Sequence, residues 1–197
     1  MELLVTREAP DFTAQAVLPS AEIAELTLSS FRGKYVLLFF YPLDFTFVCP
    51  SEILAFNDKI DDFKARNTEV IGVSVDSEYS HFAWRQIPRN QGGLGAIKFP
   101  LVADLNKSIA RNYGVLLDET VALRGLFLLD KEGIIRHMVV NDLPLGRNVN
   151  EALRMVDSLQ YTEEHGEVCP ANWQKGDEAM VPDAAGVADY LGKKYAE

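Results

Sequence analysis

Cysteine is scarce in this chain: 197 residues carry two, Cys49 and Cys169, far apart and with no Cys-x-x-Cys pair. That spacing excludes a disulfide-stapled scaffold, the usual vicinal redox dithiol and the zinc-finger patterns. Long apolar runs are missing too, and none approaches the ~20 residues of a membrane-spanning helix. The first residues, Met1 to Glu8, have neither a sustained apolar stretch nor a small-residue cleavage site. The chain as given is therefore expected to be cytoplasmic, or the mature form of something imported. Positive charge is in deficit, with 19 Lys and Arg against 29 Asp and Glu and a net charge of −10. Nucleic acid and anionic membrane are poor partners for such a surface. The three histidines, His81, His137 and His165, do not cluster by spacing, so no metal site is expected. Internal repeats and low-complexity segments are absent.

What is present is an ordinary globular composition, 48% hydrophobic and 24% charged. The chain is organised around Tyr35 to Phe63. Tyr35-Val-Leu-Leu-Phe-Phe-Tyr41 is a continuous apolar run and predicts a strand buried on both faces. Pro42 to Val48 is then a loop, and Cys49-Pro50-Ser51-Glu52 opens a helix, with Pro50 where a missing N–H is harmless. Ile53, Phe56, Ile60 and Phe63 share one face of a helix expected to run through all of them. Cys49 thus stands at a helix N-terminus, where unpaired N–H groups and the helix dipole favour a thiolate. A free cysteine is commonly inert packing, but this position is one that reactive thiols occupy.

The remaining chain reads as alternating strands and helices. Ala9 to Phe12 and Ile23 to Leu28 are expected edge strands, and Glu69 to Val75 is a second buried strand ending at a helix start, Asp76-Ser77. A helix over His81 to Gln86 stops at Pro88. Asp104 or Asn106 caps a short helix ending at Tyr113-Gly114. Arg124 to Leu129 and Ile134 to Val140 are strands joined by the tight turn Asp130-Lys-Glu-Gly133, and Asn148 caps a last long helix. This order predicts a thioredoxin-like α/β fold, a central mixed sheet flanked by helices. Residues 1–160 form that domain. Residues 161–197, loose and polar with a short helix near Asp189 to Gly192, form a C-terminal arm.

Val-Cys-Pro occurs twice, at Val48 to Pro50 and Val168 to Pro170, and contains both cysteines. A reactive thiol on the core and a second thiol on an arm are the parts of a thiol switch. Other motifs carry less. Gly72-Val-Ser-Val-Asp76 lacks the second glycine of a nucleophile elbow. Gly92-Gly-Leu-Gly95 lacks the lysine of a phosphate loop, and Asn106-Lys-Ser108 is a glycosylation sequon without a secretion signal.

Pro42-x-x-x-Thr46-x-x-Cys49 resembles the signature of peroxiredoxins, and Phe45 to Glu52 is similar to their typical two-cysteine branch. His165-Gly-Glu-Val-Cys-Pro-Ala-Asn-Trp173 resembles the segment of the resolving cysteine, and Arg124-Gly125, Asn141 to Pro144 and Gly146-Arg147 match as well. The resemblance covers nearly the whole chain. It implies a thiol peroxidase that reduces hydrogen peroxide and small organic hydroperoxides without a bound cofactor. Cys49 would be the nucleophile, with Thr46, Arg124 and Pro42 shaping its pocket and Glu52 and Arg147 holding Arg124. Cys169 of a neighbouring subunit would close a redox-active disulfide with Cys49, and a thioredoxin-like protein or flavoprotein would reduce it. A head-to-tail homodimer, assembled as a ring of five, is implied. A holdase chaperone or redox-signalling relay is the alternative. Members that inactivate easily at high peroxide resemble this chain at Gly92-Gly-Leu-Gly95 and also carry Tyr-Phe near the C-terminus; here Tyr190-Leu191 stands there, which predicts intermediate sensitivity to overoxidation.

Overall fold

The computed structural model describes residues 3–195. The chain divides into two compact units, Met1–Val149 and Asn150–Glu197.

In the first unit a seven-stranded mixed sheet has the order β2-β1-β5-β4-β3-β8-β9. Its strands are β1 (Thr13–Val17), β2 (Ile23–Thr27), β3 (Tyr35–Phe40), β4 (Thr68–Ser74), β5 (Leu101–Ala103), β8 (Arg124–Leu129) and β9 (Ile135–Asn141). A separate two-stranded ribbon pairs β6 (Leu116–Leu117) with β7 (Val121–Ala122). β3 lies in the middle, parallel to β4 and antiparallel to β8. All six of its residues are buried, as a run without polar alternation requires. Val36, Leu38 and Phe40 enter one cluster with Ile71, Val73 and Phe127. From β3's other face, Phe39 stacks on Phe56 at 4.6 Å and meets Phe99 edge-on at 5.7 Å. The central strand is therefore covered on both sides, and its C-terminal end is a rigid place from which to launch a loop. The fold is thioredoxin-like.

Local chemistry explains the turns. Asp130 Oδ1 accepts from the N–H groups of Glu132 and Ile134, and Gly133 takes φ +79°, so the expected β8–β9 hairpin closes as read. Ser77 Oγ accepts from Ser80 N at the start of α3 (Glu78–Gln86), at 3.3 Å. Asp104 accepts from Ile109 N and Ala110 N, and Asn106 from Ser108 N, so both candidate caps serve α4 (Ser108–Asn112).

Several expectations are corrected. The helix after Cys49 is not continuous: α1 (Cys49–Asp58) and α2 (Ile60–Lys64) are separated by Lys59, at φ −100° and ψ 7°. Ile53, Phe56, Ile60 and Phe63 are nevertheless all buried, so the apolar face is retained across the break. Ala9 to Phe12 is not a strand; Glu8 makes a single bridge to Ile134, and the strand is Thr13–Val17. Tertiary pairing with β2 and β5 on either side decides that register.

In the second unit, α5 (Val149–His165) extends beyond Tyr161, where the apolar pattern loosens, because its last turn is exposed and carries Glu163, Glu164 and His165. α6 (Ala184–Tyr195) is longer than the short helix expected around Asp189 to Gly192. It contains two glycines, Gly186 and Gly192, which weaken the sequence signal. Asp183 Oδ1 accepts from Gly186 N at 2.7 Å and secures the first turn.

Candidate active site

The site forms where β3 ends. Tyr41 N donates to Val73 O, keeping the chain on the sheet, and buried Pro42 then starts the loop that runs to Val48. Cys49 opens α1 with a fully buried side chain. Thr46 Oγ1 lies 3.0 Å from Cys49 Sγ and 2.8 Å from Leu43 O. Its single proton serves one of these acceptors at a time, which leaves the hydroxyl able both to donate and to accept beside the sulfur.

Arg124 arrives from the neighbouring strand. β8 runs antiparallel to β3 with Phe39 opposite Leu126, so the first residue of β8 reaches the end of β3 where the loop begins. Arg124 Nη1 lies 3.4 Å from Cys49 Sγ and 2.7 Å from Glu52 Oε2, and Arg124 Nε donates to Leu143 O at 2.6 Å. Leu143, in the matched segment Asn141 to Pro144, therefore acts through its carbonyl, which side-chain type cannot reveal.

Glu52 stands one turn after Cys49 on α1 and is shared. Arg147 donates to it from Nε at 2.7 Å, from Nη2 at 2.9 Å and from its backbone N at 2.8 Å. Arg147 Nη1 is fixed by Gly125 O at 2.6 Å, and its guanidinium sits over the Phe39 ring at 5.3 Å. All three charged side chains are at most 4% exposed. Burial raises the Glu52 carboxyl, but hydrogen bonds and charge from Arg147, with the charge of Arg124, outweigh it and hold Glu52 below its ordinary value. Two guanidiniums thus face one carboxylate, and one positive charge is left in excess beside Cys49.

Pro42 is buried at the loop's start, four residues before Thr46. A cavity of about 390 Å³ is lined by residues of β1 and of the 103–109 segment, not by the residues around Cys49. Among the described residues no group of three or more His, Cys, Asp or Glu could hold a metal ion. No helix there is long and apolar enough to cross a membrane.

Cys169 belongs to the second unit, and both cysteines are free thiols. Cys169 is half-buried, its Sγ 3.6 Å from Ser158 O and 3.8 Å from Thr162 Oγ1. Its neighbour Val168 bridges Met180. Trp173, 1% exposed, packs 5.0 Å from the Tyr161 ring; its indole donates to Asp177 O at 3.1 Å, and its carbonyl accepts from Arg154 at 3.1 Å.

A buried thiol with a hydroxyl and a guanidinium aimed at it, on a thioredoxin-like sheet, fits a thiol-chemistry enzyme. Comparison with known proteins narrows the class. The sequence model of the AhpC/TSA family matches residues 5–138, and that of the C-terminal domain of 1-Cys peroxiredoxin matches 158–193. Alkyl hydroperoxide reductase C of Helicobacter pylori is 57% identical over 191 residues, 96% of either chain. Peroxiredoxin-2 of Mus musculus is 55% identical over 190 residues, again 96% of either chain. The reduced 2-Cys peroxiredoxin of Plasmodium vivax superposes with a TM-score of 0.95 at 51% identity, covering 97% of this chain and all of that one. The chain belongs to the AhpC/TSA family, the peroxiredoxins. It is a thiol peroxidase.

Proposed function

We propose that Cys49 is the peroxidatic nucleophile and Cys169 its resolving partner. The observation that carries this reading is the convergence of Thr46 Oγ1 and Arg124 Nη1 on Cys49 Sγ, at 3.0 and 3.4 Å. The Cys49 thiolate attacks one oxygen of the hydroperoxide, the O–O bond breaks, and the other oxygen leaves as alkoxide or hydroxide, taking up a proton. Sulfur is oxidised to sulfenic acid as the peroxide is reduced. Thr46 accepts from the bound hydroperoxide and donates to it, while Arg124 faces the charge that develops on the departing oxygen. Glu52 and Arg147 hold Arg124, and Pro42 walls the pocket against water. Cys169 then attacks the sulfenic sulfur, forming a disulfide and releasing water.

Residues 1–160 carry the peroxidase chemistry, and residues 161–197 form the arm that delivers Cys169. Delivery comes from the neighbouring subunit of a head-to-tail homodimer, with five dimers in a ring. Phe47, 97% exposed, and Phe45, 53% exposed, on the Cys49 loop support burial against another copy. A thioredoxin-like protein or flavoprotein reduces the disulfide, in the cytoplasm. The substrates are hydrogen peroxide and small organic hydroperoxides. Holding unfolded clients requires none of the geometry around Cys49.

A non-reducing gel with intact mass after one equivalent of peroxide tests the assignment on wild type, Cys49→Ser and Cys169→Ser. A covalent dimer from wild type, no change in Cys49→Ser and an oxygen adduct on Cys169→Ser are expected. Unchanged wild-type thiols would overturn the reading, and an internal disulfide in a monomer would overturn the dimeric part of it. Overoxidation has its own test. Leu191→Phe restores Tyr-Phe, and it is expected to raise the sulfinic fraction of Cys49 under graded peroxide, read by mass spectrometry; an unchanged fraction contradicts this.

A further inference from the structure

The loop that carries Thr46 contains a strained residue. Phe45 has φ +56°, a conformation that is an outlier for a bulky side chain and persists only where its surroundings over-determine it. The restraint lies one residue earlier. Asp44 is buried, and its carboxylate meets three partners: Tyr41 OH on Oδ1 at 2.9 Å, and Ser80 Oγ at 2.7 Å and His81 Nδ1 at 2.8 Å on Oδ2. Its backbone N donates to Asp76 Oδ2 at 2.8 Å. His81, fully buried, is itself fixed by Val102 O, 3.1 Å from Nε2. Burial, then the charge and hydrogen bond of Asp44, push the Tyr41 phenol well above its ordinary value, so it remains a donor. Tyr41, just beyond β3, and Ser80 and His81 of α3 therefore hold one loop carboxylate, and β5 fixes His81 behind it.

We infer that Asp44, clamped by Tyr41, Ser80 and His81, is a positioning residue that holds Phe45 in the left-handed conformation and so aims the Thr46 hydroxyl at Cys49. This rests on the roles proposed above for Cys49 and Thr46. His81, a weak metal candidate by sequence, gains its place here as part of the clamp. The clamp does not touch the reacting atoms; it fixes where Thr46 Oγ1 stands. Releasing it lets Phe45 relax to negative φ and swings the hydroxyl away from the sulfur.

The test measures the rate constant for peroxide reduction by stopped flow and, separately, alkylation of Cys49 by iodoacetamide, which needs the thiolate but not the hydroxyl of Thr46. Asp44→Ala is expected to slow peroxide reduction about tenfold or more without slowing alkylation, since misplacing a reacting group by about 1 Å costs up to ~10²-fold. Ser80→Ala, which removes one of three partners and is the milder change for folding, is expected to slow it about threefold. In a Thr46→Val background neither substitution should slow it further, because residues acting through one group are non-additive. Equal loss of both rates, or a full further loss on top of Thr46→Val, overturns the inference. Should Thr46→Val itself keep the wild-type rate, the site reading falls first. Should Thr46→Val be slow while Asp44→Ala and Ser80→Ala stay fast, only the clamp falls.

Discussion

The two cysteines share the tripeptide Val-Cys-Pro and differ in almost everything around it. Cys49 is fully buried between a hydroxyl and a guanidinium, and that guanidinium is tied in turn to a backbone carbonyl and to a carboxylate that a second guanidinium shares. Cys169 is half-buried, and its sulfur lies 3.6 Å from Ser158 O and 3.8 Å from Thr162 Oγ1. The first environment is over-determined, as the peroxidatic role proposed for Cys49 would require. The second is more loosely made, as would suit the resolving role proposed for Cys169. Identical local sequence therefore encodes opposite mechanical demands, and the difference is written in residues far away along the chain.

The harshest way to break the comparison is to remove each sulfur and follow a single turnover by stopped flow. Cys49→Ser is expected to abolish peroxide reduction, whereas Cys169→Ser keeps the first oxidation within about twofold, because the Thr46 hydroxyl and the Arg124 guanidinium converge on Cys49 Sγ. Loss of the first oxidation in Cys169→Ser would mean that the two sites are not separable. Next comes Arg124→Lys. An ammonium keeps the charge but not the fork that reaches Leu143 O, Glu52 and Cys49 Sγ together. A loss of roughly 10²-fold in the rate constant for peroxide is expected, on the scale of one transition-state donor. A near-wild-type rate would show that charge alone suffices.

Glu52→Gln sharpens the same contrast through stability. At neutral pH it leaves two buried guanidiniums without the carboxylate they share, a loss of roughly 3–5 kcal/mol for a broken buried pair. The folded-state value of Glu52 is depressed despite its burial, because Arg147 and Arg124 outweigh that burial. Its stabilisation is therefore complete above the unfolded carboxylate value of about 4.3 and is lost as pH falls through the lower folded value. Urea unfolding of wild type and Glu52→Gln should differ widely at pH 7 and converge as pH falls below the unfolded carboxylate value through the lower folded one. A gap that persists unchanged at acid pH would mean that Glu52 acts by shape rather than charge.

Much of this was legible in residue order. The run Tyr35 to Tyr41 announces a strand covered on both faces, and Cys49-Pro50 announces a helix start; both stand where expected. The hairpin at Asp130 to Gly133 is legible because its turn chemistry is local. What escaped is non-local. β1 is fixed by two neighbouring strands, and its own five residues, Thr13-Ala-Gln-Ala-Val17, are too weakly patterned to declare it. The break at Lys59 leaves no composition cue, since the apolar face passes through it. Around Cys49, the resemblance named Thr46, Arg124, Glu52 and Arg147, but not the carbonyls of Leu143 and Gly125 that aim the two arginines. Backbone acceptors are present at every residue, so sequence cannot single them out. Asp44 and His81 escaped because buried polar pairs have no periodicity.

The gentlest test lies on the other side of the comparison. Trp173 is the largest buried side chain near Cys169, wedged against Tyr161 and tied to Asp177 O and Arg154. Tyr161 in turn donates to Glu167 at 2.7 Å, closing the turn that leads into Val168 and Cys169. Trp173→Ala removes the wedge and should raise amide hydrogen exchange across residues 166–180, since segments with few buried contacts open first. Peroxide oxidation of Cys49 in the same variant should stay within about twofold of wild type, because none of the donors around that sulfur is touched. Exchange that rises around Cys49 as well, together with a slower first oxidation, would mean that the two environments are one cooperative unit. Exchange confined to the Cys169 segment would mean that the surroundings of Cys49 stay rigid while those of Cys169 depend on the Trp173 wedge.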